Sequence, residues 1–152
     1  MHIIIKQITS QETYPVRHPV LRVGRPLEDC AFNGDDLEST IHLGAFYDKE
    51  LVAVASLMKN NDATFKELNH LMDDNAYQLR GMAVLQNKQG HGLGKKLLQH
   101  AEVTMKEKNV SLLWFNARII AIDFYKKLGY EINGEPFEID RIGTHYKMYK
   151  QL

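Results

Sequence analysis

The spacing of hydrophobic and polar positions changes several times along the chain, and each change marks an element. Residues 2–8, with Ile3-Ile4-Ile5 at their centre, read as a first strand. Ser10 to about Leu21 is spaced like a helix, but Pro15 and Pro19 interrupt it. Residues 22–40 read as a long loop holding one short helix at most. Ile41–Tyr47 and Leu51–Leu57 are strand-like runs around Asp48-Lys49-Glu50, the signature of a hairpin. Residues 59–76 are polar and irregular, with a candidate helix near Phe65–Met72, and Tyr77–Leu85 is the next strand. Beyond a glycine-rich turn, Leu93, Leu97, Leu98, Ala101 and Met105 recur at helical spacing. Lys95, Lys96, Lys106 and Lys108 fall mostly off that stripe, and Asn109 ends the helix. Val110–Phe115 reads as a buried strand, and Asn116 as the N-cap of a helix that runs to Leu128 and stops at Gly129. Tyr130–Ile132 and His145–Tyr149 read as two closing strands separated by a loop rich in Gly, Pro and acids. This order predicts an α/β fold with a mixed sheet.

Composition narrows the partners. A chain of 152 residues is expected to form one domain, residues 1–152, with a core that needs neither disulfide nor metal. Its 19 basic and 19 acidic residues cancel, and no summed positive field is available for a nucleic acid or an anionic membrane. The single cysteine, Cys30, cannot pair within the chain, which fits a reducing compartment. It is either a nucleophile, for which no base can be assigned, or a small loop or core residue. The apolar start is three residues long, too short for a signal peptide or a span, and a cytoplasmic location is expected.

The chemistry concentrates between Val84 and Lys96. Gln89-Gly90-His91-Gly92-Leu93-Gly94 lies between a predicted strand and a predicted helix. Glycines there admit unusual φ values and close ligand approach, and the free N–H groups of a helix start make an anion site. A P-loop is excluded, because the sixth place from Gly90 is Lys95 and the next is Lys96. The dinucleotide fingerprint is excluded too: its third glycine arrives one residue early, at Gly94, and several strands precede the loop.

Gln89-x-x-Gly92-x-Gly94 does fit [QR]-x-x-G-x-[GA]. With Leu79-Arg80-Gly81-Met82-Ala83-Val84 before it, and Asn116-Ala117-Arg118 and Ala121-Ile122-Asp123-Phe124-Tyr125-Lys126-Lys127-Leu128-Gly129-Tyr130 after it, the segment resembles the GNAT superfamily of acyl-CoA-dependent N-acetyltransferases. The close resemblance covers residues 77–130, and the first 40 residues are the least family-like. It implies a GNAT-like fold, a mixed and mostly antiparallel twisted sheet flanked by helices, with acetyl-CoA as co-substrate and no metal.

The resemblance also implies roles. Met82, Ala83 and Val84 would pair through their backbone with the pantetheine arm, and N–H groups near Val84 would polarise the thioester carbonyl. Gln89, Gly90, His91, Gly92, Leu93, Gly94 and Lys95 would hold the pyrophosphate. Lys95 and Lys96 are otherwise a solvated helix face. Asn116 would contact the coenzyme arm besides capping its helix. Tyr125 would protonate the leaving thiolate, or else is a half-buried aromatic beside Phe124 and Leu128, which read as core. A phenol of pKa about 10 can protonate a thiolate whose acid has a pKa of about 8.5. The attacking amine, of pKa about 10.4, must lose a proton at a cost of about 4–5 kcal/mol near neutral pH, so a base or a water chain is required. The candidates are His145, Glu138, His42 and Glu67, with His145 preferred for its side-chain type and its place at the last strand. It is otherwise a structural histidine.

The acceptor pocket is expected from residues 22–40 and the loop 133–143. Positions 28–38 hold Glu28, Asp29, Asp35, Asp36 and Glu38 and no Lys or Arg. Such a rim would favour a cationic amine, unless it is a solvated loop. The partner expected is thus a small-molecule or peptide amine, with no nucleic acid, no membrane, and a homodimer as an open assembly state. The alternatives are a non-catalytic acyl-CoA-binding or sensory module on the same fold, a different acyl donor or an oxygen acceptor, and a nucleotide-binding α/β domain.

Overall fold

Strands form where β-branched and aromatic residues gather between turn residues. A computed structural model describes residues 2–62 and 75–152. Its strands are β1 (Ile3–Ile8), β2 (Ile41–Tyr47), β3 (Glu50–Lys59), β4 (Ala76–Val84), β5 (Leu112–Arg118), β6 (Glu131–Ile139) and β7 (Gly143–Gln151). The described helices are α1 (Tyr14–Leu21), α2 (Leu93–Glu107) and α3 (Ile122–Lys127). The sheet order is β1-β2-β3-β4-β5-β7-β6. β1–β2, β2–β3, β5–β7 and β6–β7 pair antiparallel, and β4–β5 pair in parallel. This is the mixed, mostly antiparallel α/β architecture that the resemblance implied. The candidate helix near Phe65–Met72 lies outside the described residues.

The chain divides into two compact units, Met1–Met58 with Leu79–Thr104, and Lys59–Gln78 with Met105–Leu152. In the first, β1 and β2 are in register from Ile3↔Tyr47 to Ile8↔His42. Tyr47 faces Glu50, so the hairpin turn is only Asp48-Lys49, with φ 47° and 76°, and Glu50 already belongs to β3. Two residues at positive φ give the turn whose twist matches the strands. Val52 to Met58 are all buried. Ile8, Val16, Val54 and Ala83 form a core cluster, packed by Val20, Leu21, Phe46, Leu51 and Leu85. In α2 the buried residues are the stripe read from the sequence, Leu93, Leu97, Leu98, Ala101 and Met105.

The prolines do not prevent α1. Pro15 sits in the first turn, where its missing N–H costs no intrahelical bond. Pro19 forgoes one bond on an exposed face, and Arg22 closes the helix by donating to the Arg17 and His18 carbonyls. The helix brings Arg17 fully into the interior. Its Nη1 donates to Asp35 Oδ2 at 2.7 Å and to the Cys30 carbonyl at 2.8 Å. Nη2 donates to Asp35 Oδ1 at 3.0 Å and to Ser56 Oγ at 2.9 Å. His42 completes the network, Nε2 donating to the Asp35 carbonyl at 2.9 Å and Nδ1 accepting from Ser56 Oγ at 2.7 Å.

In the second unit, β5 runs alongside β7 from Leu112↔Gln151 to Arg118↔His145. Ala76, Leu112 and Trp114 pack with Tyr149, and Trp114 Nε1 donates to the Asn60 carbonyl at 2.8 Å. Two expectations are corrected here. β5 continues to Arg118, so Asn116 is a strand residue facing Lys147, and the cap of α3 is Ala121. Pairing with β7 outweighs the local preference of Asn for a cap. The expected loop 133–143 is largely strand, since β6 reaches Ile139 through an irregularity between Asn133 and Phe137 that absorbs Gly134 and Pro136.

Burial alone would raise the Asp35 pKa, but the hydrogen bonds from Arg17 and the Phe32 N–H, with the Arg17 charge, lower it below the ordinary carboxylate value. A lowered folded-state pKa stabilises the fold above the unfolded value of about 3.9, and that contribution fades as pH falls through the folded value. Asp35→Asn is therefore expected to cost about 3–5 kcal/mol at pH 7, because it leaves the Arg17 charge buried and unpaired. Urea unfolding followed from pH 7 downward checks this: the gap between variant and wild type should close only below about pH 4.

Candidate functional site

Strand β4 ends at Val84, a short 3-10 turn covers Gln86–Lys88, and α2 begins at Leu93. A helix start leaves its first N–H groups without intrahelical acceptors. Here the shortfall extends upstream. Among the described residues, no protein acceptor meets the backbone N–H groups of Gly90, His91, Gly92, Leu93, Gly94 or Lys95. Gly90 and Gly92 hold φ 84° and 77°, and a Cβ at either position would meet open space. These glycines are needed for backbone shape, not for want of room. Gln89 is committed elsewhere, its Nε2 donating to the Val84 carbonyl at 3.0 Å and clipping the loop to the end of β4. Gly90, His91, Gly92, Lys95 and Lys96 are exposed, while Leu93 is buried and anchors the helix start. Ala83 is a core residue, so only its backbone can face a ligand. Met82 reaches toward the loop, with Cε 3.9 Å from the place of a Cβ on Gly94. Residues Met82–Val84 and Gln89–Lys95 all belong to the first unit.

Asn116, Tyr125 and His145 belong to the second unit. The Tyr125 ring packs on Phe115 at 4.4 Å between centroids, with Phe124 at 5.1 Å and Tyr130 at 6.3 Å. Phe124, expected in the core, is 42% exposed. Among the described residues the only buried side-chain polar atom without a partner is Arg17 Nε. The Tyr125 hydroxyl makes no hydrogen bond to a described residue, so it is open to solvent. Burial of the ring raises the Tyr125 pKa and holds the proton on the phenol.

His145 is buried and donates from Nδ1 to the Gly143 carbonyl at 2.8 Å. That bond fixes the tautomer and leaves the Nε2 lone pair, which is likewise unpartnered and open to solvent. Strand alternation puts His145 on the same face of the β5–β7 ribbon as Arg118 and Asn116. Phe115, and with it Tyr125, lies on the other face. The structure does not bring Tyr125 and His145 together on one face. Of the other candidate bases, His42 has both ring nitrogens engaged, Glu138 accepts a hydrogen bond from Thr144, and Glu67 lies outside the described residues.

The acidic rim is mostly spent. Asp35 is paired with Arg17, Asp29 with Arg25 at 3.0 Å, and Asp36 accepts from Ser10 at 2.8 Å. Reading the segment alone missed this, because Arg17 enters from a helix outside it. Sequence reading also missed a group of arginines around Phe32, with Arg17, Arg80 and Arg22 at 3.8, 5.0 and 5.1 Å from the ring centre. The available signal was Arg80 itself, a charge inside an otherwise apolar strand.

The Acetyltransferase (GNAT) family profile matches residues 6–130. The uncharacterized N-acetyltransferase YitI of Bacillus subtilis (strain 168) is 38% identical over 148 residues, 97% of this chain and 95% of that one. An aminoglycoside 6'-N-acetyltransferase complexed with coenzyme A superposes with TM-score 0.73 at 13% identity, covering 97% of this chain and 96% of that one. The ribosomal-protein-S18-alanine N-acetyltransferase of Escherichia coli gives TM-score 0.72 at 16% identity, covering 99% and 94%.

The loop's capacity for an anion is open to direct measurement. Inorganic pyrophosphate added to the 15N-labelled protein should shift the amide signals of Gly90 to Lys95 above all others. Gly92→Glu should abolish those shifts, since it adds a like charge and a side chain at a left-handed φ that costs about 1–2 kcal/mol. Unmoved amides in the wild type would remove the anion site.

Proposed function

The chain belongs to the acetyltransferase (GNAT) family and is an acyltransferase, and from that premise we propose that it moves an acetyl group from acetyl-CoA to a primary amine of a small molecule or peptide. The observation that carries this reading is the run of free N–H groups from Gly90 to Lys95. Several N–H donors aimed at one pyrophosphate match the coenzyme's most anionic linkage. The coenzyme A complex of the aminoglycoside acetyltransferase supports the same donor.

In the proposed reaction the neutral amine attacks the thioester carbonyl directly, and a C–N bond forms as the carbonyl π pair moves to oxygen. Backbone N–H groups near Val84 stabilise that oxyanion, a contribution typically of about 3–4 kcal/mol. Collapse breaks the C–S bond, and the Tyr125 phenol supplies the proton taken up by the thiolate. The solvent-open hydroxyl and raised pKa of Tyr125 suit a donor that stays loaded at neutral pH. His145 Nε2 takes one proton from the ammonium before attack, and the proton that the nitrogen sheds as the amide forms returns to the Tyr125 phenolate through solvent. With Tyr125 and His145 on opposite faces of the β5–β7 ribbon, the two proton transfers are separate events, the amine losing its proton before attack.

A screen of amines for thiol release from acetyl-CoA tests the activity. At least one should give turnover, and coenzyme binding with no release by any amine would leave only a binding module. Tyr125→Phe is expected to lower kcat by about 10²-fold or more with coenzyme affinity unchanged; an unaltered kcat reduces Tyr125 to packing. Because the Tyr125 pKa is raised, the wild-type rate should fall only above the ordinary phenol value of about 10. His145→Ala should flatten the acid limb of the same profile, and a preserved limb excludes it as the base.

A further inference from the structure

We propose that Arg22 and Arg80, set against the ring of Phe32, form an anion subsite that selects acceptor amines bearing a carboxylate or phosphate group. This rests on the acetyl-transfer reading above and specifies the chemistry of the acceptor. Three guanidinium groups share the Phe32 ring: Arg17 at 3.8 Å, Arg80 at 5.0 Å and Arg22 at 5.1 Å from its centre. One carboxylate, Asp35, serves the group: it pairs directly with Arg17 and attracts Arg80 through space, while Arg17 and Arg22 repel Arg80. Asp35 holds Arg17 by two contacts, and the Asp29 carboxylate is taken by Arg25. Arg22 spends Nε and Nη1 on the Asp29 and Leu21 carbonyls, and its Nη2 has no acceptor among the described residues. Arg80 makes only long contacts through Nη1, 3.4 Å to the Asn33 carbonyl and 3.7 Å to Met58 Sδ. Its Nε and Nη2 have no partner among the described residues.

Both side chains are half-buried, and no carboxylate of the described residues bonds either one. Two unneutralised guanidinium groups gathered beside the buried Arg17 repel one another, and an arriving anion relieves that repulsion. The planar donor fork of arginine fits the paired oxygens of a carboxylate or phosphate. Gly81, at φ 61°, lies so close to the ring that a Cβ there would come within 2.6 Å of Phe32 Cε2. Arg80 precedes that glycine, and four residues of strand, at most about 13 Å, separate it from Val84, near which the thioester carbonyl is proposed to lie.

Matched acceptors test this in the thiol-release assay: a dipeptide with a free carboxylate, its carboxamide, and an aminoalkyl phosphate. The wild type should favour an anionic member by about tenfold or more in kcat/KM. Arg80→Gln and, independently, Arg22→Gln should erase that preference by raising the KM of the anionic acceptor while leaving the KM for acetyl-CoA unchanged, and Arg80→Lys should restore part of it. A larger response to the phosphate than to the carboxylate identifies the phosphate as the ligand. No preference for either anionic acceptor over the carboxamide, a preference that survives both substitutions, or an effect on acetyl-CoA instead would each overturn the subsite. A second reading needs no turnover. Succinate and inorganic phosphate should each be tried against the Nε–H signals of Arg22 and Arg80, and movement with neither overturns the subsite. Movement without thiol release from any amine would overturn the proposed activity and leave the subsite standing.

Discussion

Backbone N–H groups at the start of α2 cannot all be satisfied from within the chain, and the surrounding segment is shaped by that fact. Six consecutive donors from Gly90 to Lys95 lack acceptors among the described residues. In a core this would be costly; at an exposed loop, water or an anion can satisfy them. The loop is nonetheless not loose. Leu93 anchors it below, Gln89 ties it to the carbonyl of Val84, and β4 feeds directly into it. A fixed array of donors would need little reorganisation to accept an anion.

The opposite solution governs the interior of the same unit. Arg17 is a full charge at zero exposure, and it is held by two carboxylate oxygens, a carbonyl and a hydroxyl. Through Asp35 and Ser56 the network reaches His42, whose two ring nitrogens are thereby used up. Residues 22–40, which have little regular structure, are organised by these contacts more than by apolar burial. Among the described residues the one buried side-chain polar atom without a partner is Arg17 Nε, over the face of Phe32. Stacking of guanidinium on an aromatic ring offsets part of that loss.

What could be read in the sequence was local. The stripe of α2 and the loop before it depend on residues a few places apart, and both appear where periodicity and glycine spacing put them. Tyr125 and Gly129 lie on and after a helix for the same reason. Asn116 shows the limit. Its chemistry fits a helix cap, but the strand partner that claims it, Lys147, lies 31 positions away in sequence. Likewise the residues after Ile132 look like loop until β7 offers a ladder that tolerates a bulge at Gly134 and Pro136. Neither pairing leaves a mark in the segment itself.

Charge follows the same logic and reverses its apparent sign. Read alone, positions 28–38 are acidic and would recruit a cation. Folded, Asp35 and Asp29 are occupied by Arg17 and Arg25, and both of those arginines come from outside the acidic run. Arg22 and Arg80 then bring to Phe32 two guanidinium groups that no carboxylate of the described residues pairs with directly. At contact range the electrostatics depend on which charges remain unpaired, and net charge along a segment does not report that. The two structural relatives make the same point about the acceptor. Their names specify an aminoglycoside and a protein alanine on folds equally similar to this one. Likeness of fold alone therefore assigns no acceptor, and any such choice has to be sought in side chains, not in the architecture.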